Sequence, residues 1–153
     1  MDKLCGAVIR SADESLLPEV YAVEVESFEN PYPFWYLVLL LKLATEKYFL
    51  VSLSQNGTVD GYIVGVPHRK GLMHIASVAV RQKCRRRYVG LALLHSLFEV
   101  AESEGFSTFI LEVELHNYGA QRLYLSAGFR PAKIIPSYYG PGRHAVLMLR
   151  VAR

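Results

Sequence analysis

The stretch VAVRQKCRRRYVGLALL, residues 78–94, decides how the rest of the chain is read. It passes from an apolar strand through a basic loop into helical spacing. Val89, Leu93, Leu94, Leu97, Phe98 and Ala101 recur at that spacing, and Gly105 suits the stop. A strand that feeds a helix N-terminus makes an anion site, because the first-turn amides lack intrahelical partners and the helix dipole adds positive character. Arg85, Arg86 and Arg87 strengthen that field, and Gly90 leaves the backbone open to close approach. The loop is neither the GxxxxGKS of nucleotide hydrolases nor the GxGxxG of dinucleotide folds. By residue type alone, a phosphate cradle and a solvated basic turn both fit.

Outward from this stretch the chain alternates strands and helices. Upstream, LCGAVIR reads as a first strand. DESLLPEVYAVEVESF reads as a helix with Asp13 as N-cap, starting late or bending because of Pro18. The NPYP run at 30–33 breaks the chain, and a short apolar helix follows from Phe34 to about Thr45. KYFLVSLS, VDGYIVGVP and LMHIASVAV predict an antiparallel meander. Asn56-Gly57 forms its first turn, since both residues accept positive φ. Downstream, STFILEVEL is a strand, and Asn117 caps a helix carrying Ala120, Leu123, Tyr124 and Ala127, ended by Gly128. FRPAKII and HAVLMLRV are two closing strands. The strand–helix order from 72 to 134 requires a crossover and some parallel pairing. The class is mixed α/β.

The 153 residues are 52% hydrophobic and 20% charged, which predicts one globular domain over 1–153 rather than a disordered chain. A net charge of +3 does not by itself imply nucleic acid. Cys5 and Cys84 form no CxxC pair, so neither a metal site nor a disulfide is argued from sequence. His68, His74 and His95 show no ligand spacing with them. The N-terminus lacks an apolar signal core, and the longest apolar run, Phe34 to Leu41, is too short to span a bilayer. A soluble cytoplasmic protein without a membrane partner is expected.

Four segments in order carry a resemblance. VAVRQKCRRRYVGLALL resembles the acetyl-CoA loop of the GNAT acetyltransferases, with Arg85 and Gly90 matching and Tyr88 in place of the first loop glycine. FILEVELHNYGAQRLYLSAGF, PSYYGPGRHAVLML and ESFENPYPF are similar to further family motifs, so the resemblance covers nearly the whole chain. The nearest subgroup is the N-terminal protein acetyltransferases of RimI type and their archaeal and eukaryotic relatives. The resemblance implies a GNAT fold: a mostly antiparallel sheet with helices on both faces and a parallel strand pair at the acetyl-CoA site.

It also implies roles. Main-chain groups of Val78, Ala79 and Val80 would pair with the pantetheine arm. The loop around Arg85, with the amides of Arg86, Arg87, Tyr88, Val89, Gly90 and Leu91, would hold the pyrophosphate. Asn117 would contact the cofactor near its acetyl end, and Tyr124 would lie beside the thioester sulfur. Glu112 is the implied general base, with Glu29 binding or helping to deprotonate the amine. Tyr138 and Tyr139 would close over the substrate N-terminus. At Tyr88 the expectation is a ring turned away from the cofactor and a negative φ.

The chemistry suits such a set. An attacking amine must be neutral; a protein α-amine has a pKa near 8, against about 10.4 for lysine, so one carboxylate acting through water suffices. The reacting carbonyl oxygen needs an N–H donor, which Val80 could supply. Pattern alone reads Glu112 and Glu114 as a solvated strand face, and Tyr124 as part of an apolar helical stripe. Two departures stand out. Glu114 occupies a position where the family often has arginine, and GRH at 142–144 replaces GED. The expected activity is transfer of acetyl from acetyl-CoA to protein or peptide N-terminal α-amines, with CoA as product. The alternatives are a GNAT enzyme for a small-molecule amine, and a non-catalytic or nucleic-acid-binding module using residues 83–87. Nothing in the sequence addresses oligomeric state.

Overall fold

The computed structural model describes residues 5–152. Its strands are β1 (Val8–Ser11), β2 (Phe49–Leu53), β3 (Val59–Arg69), β4 (Leu72–Val80), β5 (Thr108–Glu114), β6 (Arg130–Ile135) and β7 (Ala145–Val151). Its helices are α1 (Leu17–Ser27), α2 (Phe34–Leu43), α3 (Val89–Ser103) and α4 (Tyr118–Ser126). Every predicted element is present, and the differences are at the ends. β1 begins at Val8, and Leu4 of the predicted strand lies outside the described residues. Asp13 caps a separate 3-10 turn, Glu14–Leu16, by accepting from Ser15 N at 2.9 Å. Helix α1 then starts late, with Pro18 in its first turn, where no amide donor is needed. In the β2–β3 loop only Gly57 takes positive φ (87°). The Asn56 side chain instead accepts from Thr58 N at 3.2 Å, which relieves its backbone of that role.

The seven strands form one sheet in the order β1-β2-β3-β4-β5-β7-β6. β2, β3 and β4 are the expected antiparallel meander, and β4 and β5 pair parallel across the crossover through α3. β7 enters between β5 and β6, antiparallel to both. Helices cover both faces. Tyr62 on β3 reaches Glu24 of α1, whereas a Cβ on neighbouring Gly61 would meet Leu93 of α3 at 3.2 Å. Successive strand residues point to opposite faces, so α1 and α3 lie on opposite sides. Val20, Val23, Leu37 and Leu40 fill one layer and Leu93, Leu94, Leu97 and Ala101 the other, all buried.

The parallel pairing joins Leu72 to Thr108, Met73 to Phe109 and His74 to Ile110, and stops. Beyond it β4 stays with β3 to Val80, while β5 stays with β7 to Glu114. The two strands part, and a cleft opens between them.

Candidate active site

The β4 wall of the cleft contains Val78, Ala79 and Val80, which have no partner on β5. The chain then turns under tight control. Arg81 Nε donates to Val59 O at 2.8 Å, and Glu26 accepts from Gln82 N at 2.5 Å. After the turn Gln82–Cys84, the Arg85 guanidinium folds back and donates to Val80 O at 3.0 Å. Arg85 is thus bonded to the end of β4, while Arg86 and Arg87 are exposed.

Tyr88 departs from expectation. It is the N-cap of α3 at φ 63°, in the left-handed region, as is Arg86. The negative φ expected at Tyr88 is wrong for a physical reason: the loop enters the helix through a left-handed residue, the conformation that glycine adopts at least cost. Tyrosine keeps that backbone at a cost of about 1–2 kcal/mol. Its ring stands 80% exposed. The first intrahelical bond runs from Ala92 N to Tyr88 O at 2.9 Å, so the amides of Val89, Gly90 and Leu91 precede the ladder. Gly90 has a second use. A Cβ there would meet Leu123 of α4 at 3.1 Å, so its absence lets α3 and α4 approach closely.

Across the cleft, Glu112 sits on β5 two residues past the last parallel pair. Its Oε1 lies 2.8 Å from His74 Nε2 on β4. Tyr138 stands near enough to feel the carboxylate: its phenol is raised above the ordinary tyrosine pKa first by burial, then by the Glu112 charge. Tyr139 packs edge-on against Tyr138 at 4.9 Å between ring centres. It is raised by burial, with Tyr138 and Glu112 adding to the effect. Tyr124 of α4 is buried, and burial alone pushes its phenol up, so it stays protonated and is a hydrogen-bond donor.

Loop 28–33, which contains Glu29, is fixed by residues that sequence reasoning missed. Buried Glu24 accepts from Tyr32 N at 2.8 Å and from the Tyr62 hydroxyl, which also meets Ser77 Oγ at 2.9 Å. Tyr32 Oη donates to Ala76 O on β4 at 3.1 Å. Desolvation raises the Glu24 pKa against these hydrogen bonds. Glu29 itself is exposed, and its charge is felt by Arg143. Asn117 caps α4 by accepting from Ala120 N at 3.2 Å.

The two departures from the family pattern meet in space. Arg143 donates to Glu114 through Nε at 3.1 Å and Nη2 at 2.9 Å, a two-point pair. Arg143 holds the Glu114 carboxyl below its ordinary pKa. An acid at 114 and a base at 143 thus replace a base and an acid.

His74 was missed because its sequence neighbours are apolar. The available signal was an ionisable side chain inside a buried strand. The cysteines were also misread: Cys5 and Cys84 are disulfide-bonded, 79 residues apart in sequence, because β1 and the loop before α3 meet beside β3. With Asp60 they are the group of donors among the described residues close enough to share an ion, but the two sulfurs are spent on each other.

A sheet that opens between β4 and β5, with a helix N-terminus at one end of the opening and a paired carboxylate at the other, defines an acyl-transfer fold. Residues 17–129 match the model of the acetyltransferase (GNAT) family, and the chain belongs to that family. It is an N-acetyltransferase, which sets aside the non-catalytic module. It is 33% identical over 147 residues to an uncharacterized N-acetyltransferase of Methanocaldococcus jannaschii, covering 94% of this chain and 90% of that one. It is 30% identical over 154 residues to an N-alpha-acetyltransferase of Sulfolobus acidocaldarius, covering 92% and 89%. The crystal structure of Ard1 from Thermoplasma volcanium superposes with a TM-score of 0.90 at 27% identity, over 95% of this chain and 97% of that one. Among the described residues no helix is long and apolar enough to cross a membrane.

Proposed function

We propose that this chain, as one catalytic domain, acetylates the N-terminal α-amino group of proteins or peptides. Acetyl-CoA supplies the activated acetyl thioester. The residues present fit it: β4 offers main chain at 78–80 with no partner on β5, and α3 offers the amides of Val89, Gly90 and Leu91 ahead of its ladder. Arg86 and Arg87 add positive charge at the phosphates, while Arg85 braces the loop to Val80. Asn117 would contact the cofactor near its acetyl end.

Glu112 accepts the proton of the attacking amine, directly or through water, with His74 fixing its carboxylate. The main-chain N–H of Val80 donates to the carbonyl oxygen as charge develops there. Tyr124, held protonated by burial, donates to the departing sulfur. Tyr138 and Tyr139 cover the substrate N-terminus, and Glu29 on its anchored loop faces the incoming ammonium. The reading rests chiefly on the Glu112 carboxylate, held 2.8 Å from His74 where the strands part. The similarity to the N-alpha-acetyltransferase of Sulfolobus acidocaldarius supports an α-amine acceptor.

The test is acetyl transfer to a panel of short peptides and, in parallel, to polyamines and aminoglycoside-like amines. Peptide N-termini are expected to be the better acceptors, with Glu112→Gln and Tyr124→Phe each losing about tenfold or more in kcat/KM. Preference for the small amines would transfer the site to the other acceptor class, and unchanged rates in both variants would overturn the assigned roles.

A further inference from the structure

The Cys5–Cys84 bond has no part in acetyl transfer, yet it closes directly onto the loop that leads into α3. We propose that Cys5, Cys84 and Asp60 form a thiol–disulfide exchange site, opened by a dithiol and closed by a small-molecule disulfide, that sets acetyl-CoA affinity by tethering this loop. The effect on affinity rests on the reading that residues 85–91 hold the pyrophosphate.

Placement carries the first part. Cys84 ends the turn Gln82–Cys84 immediately before Arg85, and its thiol side is 1% exposed as part of the core. On the other strand end, Cys5 is held by its neighbours: Gly6 N donates to Asp60 Oδ2 at 2.7 Å and Ala7 N to Leu53 O at 2.9 Å. Gly6 also packs so closely on Val89, the first residue of α3, that a Cβ on it would meet that side chain at 3.3 Å. The bond therefore ties the loop to the β1–β2 side of the sheet. Between Cys84 and α3 the backbone holds two non-glycine residues, Arg86 and Tyr88, in the left-handed region. Such residues persist only where the surroundings over-determine them. Opening the tether lets the loop relax toward conformers in which its amides no longer converge, and a less preorganised site binds more weakly.

Asp60 carries the second part. It is only 2% exposed, and Oδ1 has no hydrogen-bond partner among the described residues. A carboxylate oxygen of Asp60 and the two sulfurs lie within 4.8 Å of one another. A buried oxygen left without a donor is costly, and a thiol beside it would satisfy it. Cys5 is the more accessible sulfur. A dithiol thiolate attacks Cys5 Sγ, the S–S bond breaks, and its electron pair leaves on Cys84 Sγ. Cys84 is then protonated, with the Asp60 carboxyl relaying the proton. The second dithiol sulfur displaces Cys5 as a thiol. Two electrons pass to the pair, and the dithiol leaves as a disulfide. In closure the more exposed Cys5, as thiolate, attacks the small-molecule disulfide, breaks its S–S bond and expels one thiolate; the Asp60 carboxylate then takes the Cys84 proton, and the Cys84 thiolate attacks Cys5 Sγ and expels the second small thiol.

The experiment uses the full chain. Thiol titration of the denatured, unreduced protein is expected to find neither cysteine free. Acetyl-CoA binding is then measured by calorimetry before and after dithiothreitol, and again after oxidised glutathione. Reduction should weaken binding about fivefold or more, and reoxidation should restore it. Cys5→Ser should bind at the weaker value and ignore dithiothreitol. Two free thiols in the unreduced protein, or a fully reduced protein with unchanged affinity, would overturn the proposal. Arg86→Glu in the oxidised protein reports on the cradle separately. If it leaves affinity unchanged, the pyrophosphate has been misplaced; if it weakens binding while reduction does not, the switch alone is wrong. For Asp60, closure by oxidised glutathione should slow about tenfold in Asp60→Asn and, as a second variant, Asp60→Ser. An unchanged rate in both removes Asp60 from the site.

Discussion

The two ends of the cleft are made of different material. At the α3 end the proposed working groups are backbone: the main chain of 78–80 and the amides of Val89, Gly90 and Leu91. Here side chains matter by the room they leave, as at Gly90 against Leu123, or by how they brace the chain, as Arg85 does through Val80 O. At the Glu112 end the proposed working groups are side chains, and Glu112 is held by another, His74. A backbone site tolerates change in side-chain identity as long as its φ and ψ survive. A side-chain site does not. A tyrosine can therefore replace a loop glycine at 88, whereas the reversal at Glu114 is matched by one at Arg143.

The largest effect tests the side-chain end. Glu112→Gln keeps the shape but not the proton acceptor, and kcat/KM should fall about a hundredfold. Acetyl-CoA affinity should stay within about twofold, because the cradle is untouched. Tyr124 adds a pH signature. Burial keeps its phenol protonated well beyond the ordinary tyrosine range, so no alkaline loss of rate should arise from it below about pH 10. An alkaline limb below that value which vanishes in Tyr124→Phe would break this assignment.

Next in size is Glu24, which anchors the loop carrying Glu29. Glu24→Ala strands the Tyr32 amide and leaves the buried Tyr62 hydroxyl with Ser77 alone, and should cost about 2–4 kcal/mol of stability by denaturant unfolding. Its pKa is raised on folding, so the folded state holds the proton more tightly than the unfolded state. The stability this carboxyl contributes is complete below the ordinary glutamate range and is lost as pH rises through the folded value. The stability difference between the native protein and Glu24→Gln should drift in that direction over that window. A pH-independent difference would show that Glu24 titrates alike in both states.

The comparison also explains what was legible in the sequence. Local patterns carried the elements: Pro18 delayed α1, the NPYP run separated α1 from α2, and Asn117 and Gly128 bounded α4. Val78, Ala79 and Val80 on one side and Glu112 on the other flank the opening between β4 and β5, because family spacing encodes which strand they occupy. What stayed hidden was pairing across long sequence distance. His74 and Glu112 are 38 residues apart, Glu24 and Tyr62 also 38, and Cys5 and Cys84 79. No periodicity reports such a contact; it appears only once the strand order is known. Tyr88 was hidden differently. A left-handed backbone is ordinarily signalled by glycine or asparagine, and here the signal residue is absent while the conformation is kept.

Tyr88→Gly isolates that conformation. Glycine removes the left-handed penalty but enlarges the unfolded ensemble, so the net gain should be about 1 kcal/mol or less. Acetyl-CoA affinity should stay within about twofold. A β-branched residue at 88, such as valine, should instead destabilise the protein and weaken binding together. If Tyr88→Gly lost affinity tenfold, the ring itself would be a cofactor contact, and the backbone account of the cradle would fail.

The smallest effect lies in the half-buried Glu114–Arg143 pair at the surface. Arg143→Glu sets two carboxylates against each other and should lift Glu114 from its lowered pKa. Stability should barely move, because a pair this open to water contributes little. The change belongs in substrate preference. Arg143 stands in the electrostatic reach of Glu29, on the side of the cleft where a peptide would enter, so its reversal should shift preference about threefold toward peptides with basic residues after the first. Adding Glu114→Arg restores the ion pair in the opposite order while leaving the acid at 143. If the pair matters for holding the turn before β7, the double variant regains the native rate. If the charge at 143 alone selects the peptide, the rate returns but the basic preference persists. The ratio of rates on an acidic and a basic peptide, measured in the three variants, separates the geometry of the pair from the sign of its outer member.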